Sequence, residues 1–323
     1  MQAQSAIGSL FAQEAGTGMS MEPPMKKCNL RRAILGIFLG VGSPYACAAP
    51  DWSQIPKRDI QVFHPGVATH EWVMLKSSHS GRTGLTKGES CVACHEGKTG
   101  LDIDLKKLAA KDLEPVGAPG TMIFPVSVQA AFDDVNLHIR LTFKAPADAS
   151  PNASREEVSP RHDVKVAIMF AGAQVEQSVQ QGCWTSCHSD VRSMPGADPK
   201  KKKYIEHGEL AGGVFYDYIQ WKSGEAGKGA TQIDGHVTSE RVNKGGKALI
   251  KAEGELIDGS YAVTFVRTLA GRSADGDLEF APGQTIPFGI AIHTDRTVWR
   301  FHYVSMGYTL GLRAPGDVKA VKQ

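Results

Sequence analysis

The sequence predicts a mainly β protein, with a small helical unit over residues 49–115 followed by an antiparallel β-sandwich over residues 116–323. Three features carry that expectation. First, Leu137, Ile139, Leu141 and Phe143 alternate with His138, Arg140 and Thr142, the two-residue period of a strand with one buried face. Second, Asp258-Gly259 separates a run ending at Ile257 from Tyr261-Ala262-Val263-Thr264-Phe265, a two-residue hairpin signature. Third, long helical periodicity is absent, and Gly, Pro and Asp turns recur between short apolar runs, as they do in sandwiches and barrels.

The N-terminal segment, residues 1–48, comes first. Lys26, Lys27, Arg31 and Arg32 precede the apolar run Ala33 to Gly42 and the small-residue site Ala46-Cys47-Ala48, the layout of a secretory signal peptide. Met25 is the more natural start and residues 1–24 read as an upstream extension. Cleavage is expected after Ala48, which would leave a periplasmic chain. The apolar run falls short of the about 20 residues that span a bilayer, so no transmembrane segment is expected in the mature chain. Cys47 as a lipid anchor is disfavoured by Pro44, which stands where such sites carry a branched aliphatic residue. The segment holds four of the 36 basic and two of the 34 acidic residues, which leaves 32 of each. A neutral mature chain argues against nucleic acid as a partner; Lys200 to Lys203 is the one local basic run considered for docking.

The elements of the mature chain follow in order. Thr69 to Ser78 reads as a short helix carrying Trp72, Val73 and Leu75, and Asp102 to Lys111 as a polar one. Val116 to Gly120 is a linker by its Gly and Pro. Strands are expected at Leu137–Phe143 and Val164–Phe170, on both sides of Asp258-Gly259, along Phe288, Ile290 and Ile292, and finally over Trp299 to Leu310. The Gly- and Lys-rich stretch from Pro195 to Asn243 reads as loops with a short helix.

Cysteine usage sets the chemistry. Cys91-Val92-Ala93-Cys94-His95 and Cys183-Trp184-Thr185-Ser186-Cys187-His188 contain every cysteine beyond residue 48. Two disulfides, or one zinc site with four thiolate ligands, would use the thiols, yet either leaves a histidine after each second cysteine unexplained. Covalent haem uses all three, since two thiols add across the porphyrin vinyl groups while the adjacent imidazole reaches the iron. C-x-x-C-H is that signature; the longer spacer of the second motif would require a small bulge between the thioethers. Two covalently attached haem c groups are therefore expected, on Cys91, Cys94 and His95 and on Cys183, Cys187 and His188.

Each iron also needs a ligand on its far face. For the first, His79 lies twelve residues before Cys91, a loop long enough to return an imidazole; His70, His64 and Met74 compete. For the second, the run Arg300 to Met306 puts His302, Val304 and Met306 on one strand face, so His302 is the choice and Met306 the rival. Lys222 after Trp221 reads as a snorkelling side chain, Met169 as core, and Met194 lies too near His188 to cross over. His207 and His236 read as solvated, and His162 and His293 have no partner visible in the sequence.

The order W-x(6)-H-S-G, G-E-S-C-V-A-C-H-E-G, V-S-V-Q-A-A-F-D-D-V-N-L-H-I-R-L-T-F, G-C-W-T-S-C-H-S-D-V-R-S-M-P-G and H-Y-V-S resembles exported dihaem cytochromes related to the haem-binding gamma subunit of ethylbenzene dehydrogenase. That resemblance covers nearly all of residues 60–312. It implies a β-sandwich haem domain of the kind found in electron-transfer subunits of molybdenum enzymes of the dimethyl sulfoxide reductase superfamily. Those gamma subunits hold a noncovalent haem by methionine and lysine, the lysine near the C-terminus, whereas this chain places thiols and His188 in the attachment segment. No nucleotide loop, G-x-S-x-G or further metal cluster is visible. The expected role is thus electron relay, not catalysis, between a redox partner protein such as a quinol-linked membrane donor and an oxidoreductase, with a molybdenum enzyme as one candidate. A dihaem peroxidase, with Glu71, Glu89 or Glu96 as its acid-base group, and a haem-based sensor are the alternatives.

Overall fold

The computed structural model describes residues 49–65, 73–74, 79–97, 100–103, 119–147, 164–187, 204–224, 229–294 and 302–323. The signal segment, His70, His162, His188, Met194, Lys200 to Lys203 and most of the two expected N-terminal helices lie outside these residues. In chain order the described elements begin with β1 (Arg58–Phe63), the short helices α1 (Arg82–Thr86) and α2 (Cys91–His95), and the small pair β2 (Glu96–Gly97) and β3 (Gly100–Leu101). Next come β4 (Ile123–Phe132), β5 (Asn136–Phe143), β6 (Lys165–Ala171), the helices α3 (Ser178–Gln181) and α4 (Cys183–Cys187), β7 (Tyr216–Lys222), β8 (Thr231–Val237) and β9 (Arg241–Val242). The chain finishes with β10 (Leu249–Ile257), β11 (Ser260–Thr268), β12 (Thr285–His293), β13 (Tyr303–Ser305), β14 (Tyr308–Leu312) and β15 (Val318–Lys322).

The protein is mainly β. One sheet runs β10-β11-β5-β4-β1-β13-β12-β6-β7-β8-β9, and β14 and β15 bridge β12 back to β4. The pairings β4–β1–β13–β12–β14–β15–β4 thus close a circuit that leaves those six strands no open edge between them. Two of its pairings, β14–β15 and β15–β4, are parallel, a departure from the purely antiparallel expectation. Both flanking arms curl until they meet: the backbone at Gly254 of β10 lies so close to the indole of Trp221 of β7 that a Cβ would collide with it. The two facing layers of the sandwich are therefore parts of one continuous sheet.

The alternating run behaves as its period requires. Leu137, Ile139, Leu141 and Phe143 are all buried in the main core together with Phe288, Ile290 and Ile292 of β12. Asp258 and Gly259 adopt φ of 49° and 76°, the left-handed pair that a two-residue hairpin needs to match strand twist, and β10 and β11 pair on either side of them. Two expectations are corrected. The stretch Pro195–Asn243 holds β7, β8 and β9; six of the seven residues of β7 are buried, and a strand covered on both faces shows no alternation. The single last strand expected over Trp299 to Leu310 is instead β13 and β14, interrupted at Met306-Gly307, with β15 beyond. Arg58–Phe63, inside the segment assigned to the helical unit, is a strand of the main sheet.

Opposite faces of β6 and β7 serve different interiors. Val166, Ile168, Phe170, Ile219 and Trp221 enter the main core, whereas Ala167, Met169, Ala171, Tyr216 and Tyr218 form a second apolar group on the other face.

Candidate functional site: two cysteine-histidine segments

The first segment is a single helical turn fixed at both ends. Ser90 caps α2 by accepting the Ala93 N–H at 3.1 Å, which satisfies an N-terminal donor that the helix itself leaves free. Within that turn, spacing of three residues puts Cys91 and Cys94 on one face. Cys91 is buried against the main core, and burial pushes its thiol up to about 11. Cys94 is exposed, with its Sγ 3.8 Å from Oε2 of Glu89.

His95 ends the turn in a defined tautomer. Its Nδ1 lies 2.7 Å from the carbonyl oxygen of Asp102; a carbonyl only accepts, so Nδ1 carries the proton and Nε2 presents a lone pair. The pair β2–β3 produces this contact by folding the chain back, and the Asp102 N–H donates to the His95 carbonyl at 2.7 Å. Glu96, the next residue, accepts from Arg58 at 2.5 Å and from the Tyr308 hydroxyl at 3.4 Å. Burial, then the Glu96 charge, holds the Tyr308 phenol well above its ordinary value. The histidine segment is thereby fastened to β1 and β14.

His79 is brought to the same place. Its ring lies 5.9 Å from that of His95, centroid to centroid, with the planes 22° apart. The separation is close enough for both imidazoles to serve one iron, each through a nitrogen about 2 Å from the metal, once the rings turn their edges toward it. Gly81 makes the approach feasible: a Cβ there would sit 2.7 Å from the His79 Cε1. Of the rivals, Met74 is half-buried against the main core, and His64 is buried beside Tyr303.

The second segment is also helical. Gly182, at φ 76°, precedes α4 and meets Gly307 so closely that a Cβ would come within 2.5 Å of the Gly307 nitrogen. Cys183 and Cys187 are the first and last residues of α4. Trp184 is buried in the main core with its ring 5.7 Å from Phe63, edge to face. The Thr185 hydroxyl donates to the Gly182 carbonyl at 2.9 Å, and the hydroxyls of Ser186 and Tyr216 lie 2.8 Å apart. Cys187 packs on the second apolar group, of which Met169 is a member, and burial pushes its thiol up to about 12. His188 lies outside the described residues.

His302 is half-buried at the start of β13, its ring 4.8 Å from that of His293 at the end of β12. His64 follows β1 at the same end of the sheet, 5.5 Å from the Tyr303 ring. Its imidazole is lowered to about 3, by burial and then by the charge of His302. Met306 is buried in the main core, and Lys222 is half-buried with its ammonium lowered by burial and by Arg241. Sequence reasoning missed Arg58, Tyr308 and the Asp102 carbonyl. Gly81 was in view as part of H-S-G, with no sign of its purpose.

Comparison with known proteins identifies the family. The family model described as ethylbenzene dehydrogenase matches residues 49–253. The chain is 42% identical over 302 residues to cytochrome c-552 of Stutzerimonas stutzeri, covering 93% of this chain and 100% of that protein. It is 41% identical over 276 residues to cytochrome c-551 of Rhodocyclus tenuis, covering 85% of this chain and 100% of the relative. The chain belongs to the ethylbenzene dehydrogenase family and is similar over their full length to these two cytochromes.

Proposed function

We propose that the chain is a periplasmic dihaem cytochrome c that relays electrons between a quinol-linked membrane donor and an oxidoreductase, with a molybdenum enzyme as the candidate partner. The observation that carries this reading is the His79–His95 pair beside Cys91 and Cys94, with ring centroids 5.9 Å apart. Haem held there supplies a one-electron iron couple, and paired imidazoles favour a lower potential than histidine with methionine. The Asp102 carbonyl orients the His95 ring and fixes which nitrogen faces the iron. Cys91 and the apolar residues behind it exclude water from one side, while the exposed Cys94 edge is the route to a partner.

For the second haem, Cys183 and Cys187 are the attachment residues, His188 the near ligand and His302 the far one. Met169 is the rival, because it shares the second apolar group with Cys187. Full-length identity to cytochromes c supports the cofactor, and the dehydrogenase family supports a redox enzyme as partner. A peroxidase reading requires a free acid-base carboxylate over an open iron; Glu96 is instead committed to Arg58 and Tyr308. No helix among the described residues is long and apolar enough to cross a membrane.

Intact mass and near-infrared magnetic circular dichroism of the oxidised protein test the reading together. Two haems with six-coordinate signals are expected; His302→Ala should move one signal, and Met169→Ala neither. An open iron that binds carbon monoxide when reduced would favour an enzyme or sensor instead.

A further inference from the structure

Away from both cysteine segments, three carboxylates converge. Asp217 of β7, Asp234 of β8 and Asp277 in the loop between β11 and β12 each bring an oxygen within 4.8 Å of the others. Asp217 and Asp277 are 0% and 2% exposed. Each of the three carboxylates has one oxygen engaged. Oδ2 of Asp217 accepts from Arg267 and from the Leu278 N–H, Oδ2 of Asp234 from the Leu249 N–H, and Oδ2 of Asp277 from the Lys247 N–H.

The other oxygen of every one, Oδ1, is buried without a hydrogen-bond partner. Three such atoms in one group are costly, since a buried acceptor left unmade forfeits about 1–3 kcal/mol, and more when charged. Charge is also out of balance. Three carboxylates face the guanidinium of Arg267, the only cation among the described residues that pairs with the group. The guanidinium offsets one of the three carboxylates, and the others must be offset by a proton or by a bound metal.

We propose that Asp217, Asp234 and Asp277 bind one divalent cation of the calcium type. The atoms that meet are all hard carboxylate oxygens, the donor set for calcium and not for thiophilic metals. Three oxygens that all lie within 4.8 Å of one another can share the coordination shell of one calcium ion, whose oxygens stand about 2.3–2.6 Å from the metal. Close walls complete the site: a Cβ at Gly246 would strike Oδ1 of Asp234, and one at Gly276 would strike the neighbouring His236 ring. A bound cation would join β7 and β8 to the β11–β12 loop, and Asp217 adjoins Tyr216, which contacts the attachment helix through Ser186.

The test uses the intact haem-loaded protein, treated with a chelator, dialysed and titrated with calcium chloride by calorimetry. One saturable equivalent per chain is expected, with a rise of several degrees in the unfolding midpoint at millimolar calcium. Asp234→Asn and Asp277→Asn should each weaken binding at least tenfold while leaving haem content and the visible spectrum unchanged. The proposal is overturned if calcium gives no saturable heat and the chelator leaves the midpoint of the wild-type protein unmoved. It is equally overturned if both variants bind calcium as the wild type does.

Discussion

Gly81 and His79 are in contact across one turn: a methyl at Gly81 would stand 2.7 Å from the imidazole Cε1. Because Gly81 caps α1 at an ordinary helical φ of −68°, alanine is tolerated by the backbone and refused only by the ring. Gly81→Ala should therefore displace His79 without unfolding the protein. The expected outcome is one haem that binds carbon monoxide in the reduced state, and His79→Ala should reproduce it. An unchanged spectrum in both variants would remove His79 as the ligand.

Covalent attachment is read by mass. Two haems add roughly 1.2 kDa to the apoprotein through the C-x(n)-C-H segments. Cys187→Ala should release one haem in denaturing solvent and leave the one on Cys91 and Cys94. Retention of both in that variant would show that the second segment holds its cofactor otherwise.

Gly182 is the backbone hinge into α4. Alanine there meets two penalties, a backbone conformation at φ 76° and ψ −179° that is essentially confined to glycine, at about 1–3 kcal/mol, and collision with Gly307. Urea unfolding of Gly182→Ala should show a loss of at least that size, together with weaker incorporation of the second haem. Equal midpoints for variant and wild type would contradict the close approach.

Acid sensitivity has a contributor away from the irons. His138 of β5 has its imidazole lowered by burial, only partly offset by Asp133 at 3.6 Å. The unfolded chain then binds the proton that the folded chain refuses, so stability is full above the ordinary histidine value of 6.5 and falls below it. His138→Gln should flatten the dependence between about pH 6.5 and pH 5, measured by urea unfolding at several pH values. A slope identical to wild type would show that His138 takes no part.

Legibility in the sequence followed the number of buried faces. Leu137–Phe143 and the Asp258-Gly259 hairpin declared themselves because one side of each strand meets water or turns sharply. Tyr216–Lys222 did not, since both its sides are covered and aromatic, polar and charged residues all lie inside. The break at Met306-Gly307 was hidden because its cause, Gly182, is over a hundred residues away. At the first cysteine segment, the thiols and His95 were legible from spacing alone. The group that fixes the His95 tautomer was not, because a backbone carbonyl carries no residue identity. Asp217, Asp234 and Asp277 are single carboxylates on separate elements, and only the curl of the sheet makes them neighbours.

Cys91 and Trp184, one from each attachment segment, are embedded in the same apolar core. Iron centres anchored through these two segments would keep a constant separation, with little atomic rearrangement as charge passes between them. Reduction of either would also raise the cost of placing an electron on the other through a medium that screens poorly. The protein would then titrate with two apparent potentials that belong to the pair rather than to either centre, as coupled sites do.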